Sequence, residues 1–530
     1  MFWLDRIFNE AEVALGAKIQ AKKKLLIRDE KTASGRVHVG SMRALALHAA
    51  IAERLEEAGV ASEFVYEIND FDPMDGLPVY LDAAVYKKEM GKPLFRIPSP
   101  DPSLAPNFAE YFAKDYMDAI RDAGFTPRFT RASELYLSGK MNGVIRTALE
   151  KASIVRKIYL EVSGSKKPDD WLPLSVICEN CGKVGTTKAT SFDGEKVTYT
   201  CYPTAVEWAE GCGHKGSVSP FDGNAKLAWK VDWPAKWFVY GVDIEGGGKD
   251  HYSKGGSRDV GRRIVQEVFG YPEPFGVANE FFLVGGKKMS SSKGQGSSAR
   301  EIVDLLPPHI FRLALFGKDM NQQINFDPSG ETIPVLYDTY DRLAEKYFSG
   351  VVDDDTRLFL YVHLPEERKA LVKHYLPRFR EVAFLVQMPH LSLVEEIARV
   401  KGSPLTPNDE RELALRAEYA KRWLERSAAD EYKFTLAEDS IPEAAKSLSP
   451  KQKDALRAIR AFIESRAKLD GLELHTELHE IRKRLEIEPK ELFGALYLAF
   501  LGKDHGPKAG WFLSVLDRGF LLKRLEEVSA

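Results

Sequence analysis

Three glycine-bearing stretches hold the residue types that handle a polyphosphate. The first is Thr32-Ala33-Ser34-Gly35-Arg36-Val37-His38-Val39-Gly40-Ser41. Gly35 and Gly40 can take dihedrals closed to other residues and let a flat ring approach the backbone. His38, between them, can meet a phosphate as an imidazolium, and Ser34 and Ser41 can donate hydrogen bonds. The second, Lys288-Met289-Ser290-Ser291-Ser292-Lys293, joins two ammonium groups to three hydroxyls and is flanked by Gly285, Gly286 and Gly294. It reads as a cationic loop suited to clamping a triphosphate. The third, Gly246-Gly247-Gly248-Lys249-Asp250-His251, offers backbone and polar groups to ribose hydroxyls and phosphate. Each has a plainer reading as loop, solvated linker or turn, so the three gain meaning only together.

Two further clusters could do chemistry. Asn69-Asp70-Phe71-Asp72-Pro73 follows an apolar run, and carboxylates at the carboxyl end of a strand, Asp70 and Asp72, can face a cationic ligand; an Asp/Pro turn capping itself is the alternative. Cys178-Glu179-Asn180-Cys181 is a two-residue knuckle that can aim both thiolates at one ion, and Cys201 and Cys212 complete four ligands. That set predicts a structural zinc. A redox Cys-x-x-Cys is less apt, because no helix start follows the pair and two more cysteines lie close by. His214 is a fifth candidate ligand, but a Cys-Gly-His turn readily leaves the imidazole outside.

These residues need elements to hold them. Leu25-Leu26-Ile27 predicts a strand, residues 42–58 a helix and residues 63–68 a second strand, which places the His38 loop at a strand-to-helix turn where backbone N–H groups point at an anion. Helical patterns occupy 1–23, 107–124, 133–136 and 141–159, with a Pro-rich insertion over 77–106. Sheet-like sequence is expected to resume over 226–237 and 238–244, then a helix over 259–269 and a strand over 281–284 that delivers the lysine loop. Beyond 298 the chain reads as helical, with apolar spacing over 336–347, 366–386, 408–426, 451–469 and 477–500. The expected organisation is therefore α/β: a Rossmann-type parallel-sheet catalytic domain in two halves (1–162 and 226–297), a zinc-binding insert (163–225), a helical stem (298–427) and an all-α C-terminal domain (428–530).

Composition narrows the class. With 530 residues, 44% apolar and 29% charged residues, the chain is an ordinary globular multidomain protein. A net charge of −3 excludes a global basic field, so any nucleic acid must be held by local patches. No apolar run approaches the ~20 residues of a spanning helix, and the first residues carry charge too early for a leader, so a cytoplasmic protein with no membrane partner is expected.

In this order the loops resemble the His-x-Gly-His and Lys-Met-Ser-Lys-Ser motifs of class I aminoacyl-tRNA synthetases. Here the first reads His38-Val39-Gly40-Ser41, with serine for the second histidine, and the second carries its later lysine at Lys293. With the Thr32-Ala33-Ser34-Gly35 lead-in, Ala132-Ser133-Glu134-Leu135-Tyr136 and Gly248-Lys249-Asp250-His251, the chain is similar to class I lysyl-tRNA synthetases, densely over roughly residues 1–330 and by helical character beyond.

The resemblance implies ATP and Mg²⁺ as cofactors beside the structural Zn²⁺, with lysine and tRNA(Lys) as partners; a monomer is favoured. It implies His38, Ser41, Lys288 and Lys293 as catalytic residues. ATP would be held by these with Ser34, Gly35, Gly40, Asp250, Met289, Ser290 and Ser292. The amino acid would be held by Glu30, Thr32, Asp70, Trp233, Trp237, His251 and Asn279. Two of these depart from the family pattern: Glu30 stands for a glycine and Asn279 for a tyrosine, and a carboxylate at 30 could pair with an ammonium. The departures keep open a same-fold enzyme for another basic amino acid, arginine foremost. A catalytically silent tRNA-binding paralogue is the non-enzymatic alternative.

Overall fold

The computed structural model describes the chain apart from Lys22, Lys287, Lys288, Ser292, Lys293, Gln295, Pro389 and His390. It divides into two units, Met1–Asp327 with Arg342–Leu371 and Pro328–Asp341 with Val372–Ala530.

The first unit is organised by a parallel sheet. Strand β1 (Leu25–Thr32) pairs in parallel with β2 (Ser62–Asn69), and β2 with β3 (Arg128–Arg131). Their crossovers are the helices α1 (Met42–Glu57) and α2 (Phe108–Asp122). The other edge of β1 is taken by the segment around Ile244, bridged to Ile27, and that segment is bridged in turn to Phe275. Arg28 N–H donates to the Ile244 carbonyl at 2.9 Å, and Glu245 N–H to the Phe275 carbonyl at 2.8 Å. The spatial order is thus third, second, first, fourth, fifth, the doubly wound arrangement in which ligands bind where the order reverses, beyond the carboxyl ends of the strands. Leu25 and Ile27 are wholly buried, as expected of a strand covered on both faces.

Between the two halves lies the cysteine-bearing insert. Leu174–Val176 pairs antiparallel with Ala225–Leu227, and Thr187–Phe192, Val197–Cys201 and Lys215–Val218 form an antiparallel meander.

The sheet expected over 226–237 and 238–244 is corrected: Ala225–Leu227 is strand, Trp229–Tyr240 is a helix, α3, and within 241–244 only Ile244 is bridged to the sheet. Its aromatic and β-branched composition suits a strand, but Trp229, Trp233 and Trp237 recur every fourth residue and pack edge-on and tilted against one another along one helical face, with successive ring centroids 5.1 and 4.9 Å apart. Packing of that face outweighs both propensity and the internal Pro234.

The second unit is helical. Pro407–Arg426, Pro450–Glu464 and Pro489–Leu501 each begin with proline at the first helical position, where a missing N–H costs nothing. The run expected over 477–500 is split into Gly471–Arg484 and Pro489–Leu501, with Glu486 at φ +48° in the break. The run over 366–386 shrinks to Phe379–Leu385, since Pro377 keeps the residues before it out of a helix. Among the described residues no helix is long and apolar enough to cross a membrane.

Candidate active site

A cavity of about 390 Å³ opens at the switch point of the sheet. The end of β1, the glycine stretch 246–248, α3 and the start of α1 wall it. Of the residues singled out from sequence, Glu30, Thr32, His38, Gly40, Ser41, Met289, Trp233, Asp250, His251 and Asn279 line this one space. The described part of the lysine loop meets the His38 loop directly. Ser291 Oγ accepts from His38 N–H at 3.2 Å, and Val39 N–H donates to the Ser297 carbonyl at 3.1 Å. A Cβ at Gly40 would lie 2.9 Å from His38 Nδ1 and 3.2 Å from the Phe282 carbonyl, so only glycine fits between the imidazole and the next strand. Gly35, at φ +153°, leaves 2.7 Å between such a Cβ and the Ser291 carbonyl. Lys288, Ser292 and Lys293 lie outside the described residues.

Five expected residues sit away from the wall, Gly35 among them. Ser34 is buried beside Gly35, and Ser290 lies outside the cavity lining. Asp70 is turned from the cavity: its carboxylate accepts from Ser133 N–H at 2.7 Å and from the Ser133 hydroxyl. The reason is a reversal just after β2, where Asp70 N–H returns to the Ile68 carbonyl, so Asp72 and not Asp70 faces the ligand space. Trp237 is wholly buried behind Trp233, its indole N–H donating to Glu245 at 2.9 Å.

The floor of the cavity is a connected set of buried ions that the sequence reading passed over. Arg28, fully buried, reaches Glu245 at 2.8 Å, Glu30 at 2.6 Å and Glu67 at 3.2 Å. Lys236, also fully buried, pairs with Glu67, with Glu30 at 3.1 Å and with Asp232 at 3.0 Å. Lys226 bridges Asp232 at 2.7 Å and Asp72 at 3.1 Å, and Thr32 Oγ1 donates to Asp72 at 2.9 Å. Burial alone would push the Glu30 carboxyl up, but Lys236, then Arg28 and Lys226, hold it well below the carboxylate range. Burial would likewise lower the Lys236 ammonium, and its carboxylate neighbours, Asp232 first, raise it above the ordinary lysine value. The clue in the sequence was the interleaving of charge with tryptophan in Asp232-Trp233 and Lys236-Trp237, because a charge amid large apolar residues survives only when paired.

Behind the wall, His48 is wholly buried. Its Nε2 accepts the Gly246 N–H at 2.8 Å, while Nδ1 faces the Ala44 carbonyl at 2.8 Å. This fixes the neutral tautomer with its proton on Nδ1 and ties helix α1 to the glycine stretch.

In the insert, the sulfurs of Cys178, Cys181, Cys201 and Cys212 lie within 4.8 Å of one another, and His214 is not among them. The separations of 3.6 Å between Cys178 and Cys212 and 3.7 Å between Cys181 and Cys201 suit a tetrahedral ion: arms of ~2.3 Å give edges of about 3.8 Å. Cys212 N–H and Thr186 Oγ1 lie 3.3 and 3.2 Å from Cys201 Sγ, the outer shell a thiolate needs.

Residues 1–365 match the family described as tRNA synthetases class I (K). The chain belongs to that family. Residues 417–529 match a family described as an anticodon binding domain. Among curated relatives, the lysine–tRNA ligase of Methanosarcina barkeri is 34% identical over 98% of this chain and 97% of its own length. That of Thermoplasma volcanium is 33% identical over 100% and 99%, and that of Methanocaldococcus jannaschii 31% over 99% of each. Class I synthetases are ATP-dependent ligases that work with Mg²⁺ and take an amino acid and a tRNA.

Proposed function

We propose that the chain is a lysine–tRNA ligase, activating lysine with ATP to lysyl-adenylate and pyrophosphate and passing the lysyl group to the 3′ end of tRNA(Lys). The observation that carries the reading is the shared cavity: the His38 loop, Met289 of the lysine loop and the 246–251 stretch wall one space whose floor is acidic. Full-length relatives named lysine–tRNA ligase support the same amino acid.

Adenylation needs in-line positioning and positive charge where negative charge develops. His38 would supply that charge from one side of the triphosphate and Lys288 with Lys293 from the other, while Ser41 and Ser292 donate hydrogen bonds; Ser34 and Ser290, away from the wall, would act only through the loops that carry them. Gly40 leaves room for adenine, and Asp250 suits the ribose. Mg²⁺ would arrive on the phosphate oxygens, as this ion usually does. Glu30, Thr32, Asp72, Trp233, His251 and Asn279 would hold the amino acid.

In the insert the four cysteines would hold a structural Zn²⁺, closing a small β meander that has few apolar residues of its own. Residues 1–162 and 226–297 would form the catalytic domain around that insert (163–225), with 298–427 as stem and 428–530 reading the anticodon, in a cytoplasmic monomer.

The test is ATP–pyrophosphate exchange with the full amino-acid panel, with and without tRNA, followed by aminoacylation of tRNA(Lys). Exchange driven by lysine is expected. Exchange with arginine alone, which an acidic floor also admits, would reassign the substrate, and no exchange in any combination would leave a silent tRNA-binding paralogue.

A further inference from the structure

The ions beneath the cavity do not balance. Arg28, Lys226 and Lys236 are joined, by contacts no longer than 3.2 Å, to Glu30, Glu67, Asp72, Asp232 and Glu245. Three cations face five carboxylates, a surplus of two negative charges. Lys31 and Asp29, next along the wall, add one charge of each sign and leave the surplus unchanged. Taking up protons does not remove it easily. Burial pushes Glu245 up, yet Arg28 donates to both its oxygens, Trp233 N–H to one and Trp237 N–H to the other, so a carboxyl proton there would face a donor. Asp232 accepts Tyr136 O–H on one oxygen and Lys226 on the other. Unbalanced charge held out of water is costly, so a site of this kind is completed by a cationic ligand.

The surplus also has an address. The side chains of Glu67, Asp232 and Glu245 are at most 4% exposed, whereas Glu30 is 22% and Asp72 31% exposed, and both open on the cavity. Glu30 commits Oε2 to Arg28 and Lys236 and has no donor to Oε1 among the described residues. Asp72 commits Oδ2 to Thr32 and Asn69, and among the described residues Oδ1 meets only Lys226, a lysine it shares with Asp232.

We infer that Glu30 and Asp72 are two separate ammonium subsites, one for the α-ammonium and one for the side-chain ammonium of a diamino acid, which together supply the two cations the buried set lacks. The inference rests on the cavity being the amino-acid site proposed above. It makes selection depend on two charges in the ligand, since an amino acid with one ammonium leaves one carboxylate desolvated and unpaired. Sites built around a polar partner reject analogues that lack it far more strongly than apolar pockets reject a missing methylene.

The test is equilibrium binding to the full chain, without ATP, of lysine, norleucine (no side-chain ammonium) and 6-aminohexanoate (no α-ammonium). Each analogue is expected to bind the wild type about 100-fold more weakly than lysine, or worse. Glu30→Gln and Asp72→Asn should each weaken lysine about tenfold or more, and each should erase discrimination against one analogue while keeping it against the other. A purely structural role would weaken all three ligands together, and that result overturns the inference. So does a wild type that binds either analogue as well as lysine, a measurement that needs no variant to fold. Thermal melting and ATP binding confirm that the variants are native. Failure of the proposed function is distinct: there the wild type shows no lysine-dependent exchange at all.

Discussion

At the scale of single residues, the site depends on distances set by what is missing from a side chain. Gly40 is the clearest case, because a Cβ there would displace the His38 ring or the Phe282 carbonyl. Misplacement of a reacting group by about 1 Å can cost ~100-fold, so Gly40→Ala is expected to cut ATP–pyrophosphate exchange by about that factor while melting stays close to wild type. His48 answers a different question. His48→Ala would leave the buried Gly246 N–H without its acceptor, at a cost of ~1–3 kcal/mol. Thermal unfolding should show the loss, and KM for ATP and lysine should rise together because the glycine stretch is no longer anchored. How legible these residues were follows from the physics. The loop glycines and the four cysteines announce themselves because their chemistry tolerates few substitutes. Asp70 and Asp72 could not be told apart, since their facing depends on a chain reversal after Asn69 that no two-residue alternation encodes. Lys226, Lys236 and Arg28 stayed hidden because a lysine or arginine in a string of letters looks solvated until its partners are placed around it.

At the scale of elements, the insert and one helix pair make measurable statements. The insert strands are three to six residues long, and four cysteine sulfurs gather within 4.8 Å of one another beside them. Such a module is expected to release one Zn²⁺ per chain to a chromogenic chelator, and Cys201→Ser should lose the ion and give a lower melting temperature, because metal binding and folding of such modules are coupled. Glu57, near the end of α1, receives two hydrogen bonds from Arg357, at 2.6 and 3.0 Å, and one from Tyr361 at 2.5 Å. Arg357 is the main reason the Glu57 carboxyl is held down to about 2 from 4.5, against burial, with Tyr361 adding to it. A carboxyl depressed on folding contributes stability above its ordinary value, and that contribution is lost as pH falls from 4.5 through about 2. The group is 42% exposed, so water screens the pair and Glu57→Gln should cost only ~0.5–1 kcal/mol at neutral pH, with the difference from wild type closing as acid is added in denaturant melts. The strands and helices of the first half were readable from apolar periodicity. Helix α3 was not, because its tryptophans, valines and other aromatics carry strand-like composition while the four-residue spacing of the tryptophans carries the opposite message.

At the scale of the whole molecule, a net charge of −3 must be reconciled with a nucleic-acid partner. Many basic residues of the second unit are already matched: Arg457 with Asp454, Arg460 with Glu464, Arg466 with Glu473 and Lys483 with Glu480. Those four cations would have to release a partner before neutralising a phosphate. The affinity for tRNA is therefore expected to fall only about tenfold to hundredfold between 50 and 200 mM salt, less than the ~10³–10⁵ of a protein with six to ten phosphate contacts. Filter binding across a salt series checks the slope.

The order of the strands has a further consequence, for the chain as it is made. Strand β1 lies in the middle of the sheet, yet the neighbour on its second edge follows only after the whole cysteine insert, and Arg28 finds Glu245 across 217 positions of sequence. While the ribosome is still adding those residues, the nascent N-terminal half has an open strand edge, and Arg28 has Glu30 and Glu67 but not yet Glu245. Such an edge invites pairing with other chains, and closing it late is slow because the contact is so distant. The half that holds the sheet is thus expected to be the part of this molecule that gains most from a chaperone during synthesis, and the part from which early-terminated chains aggregate.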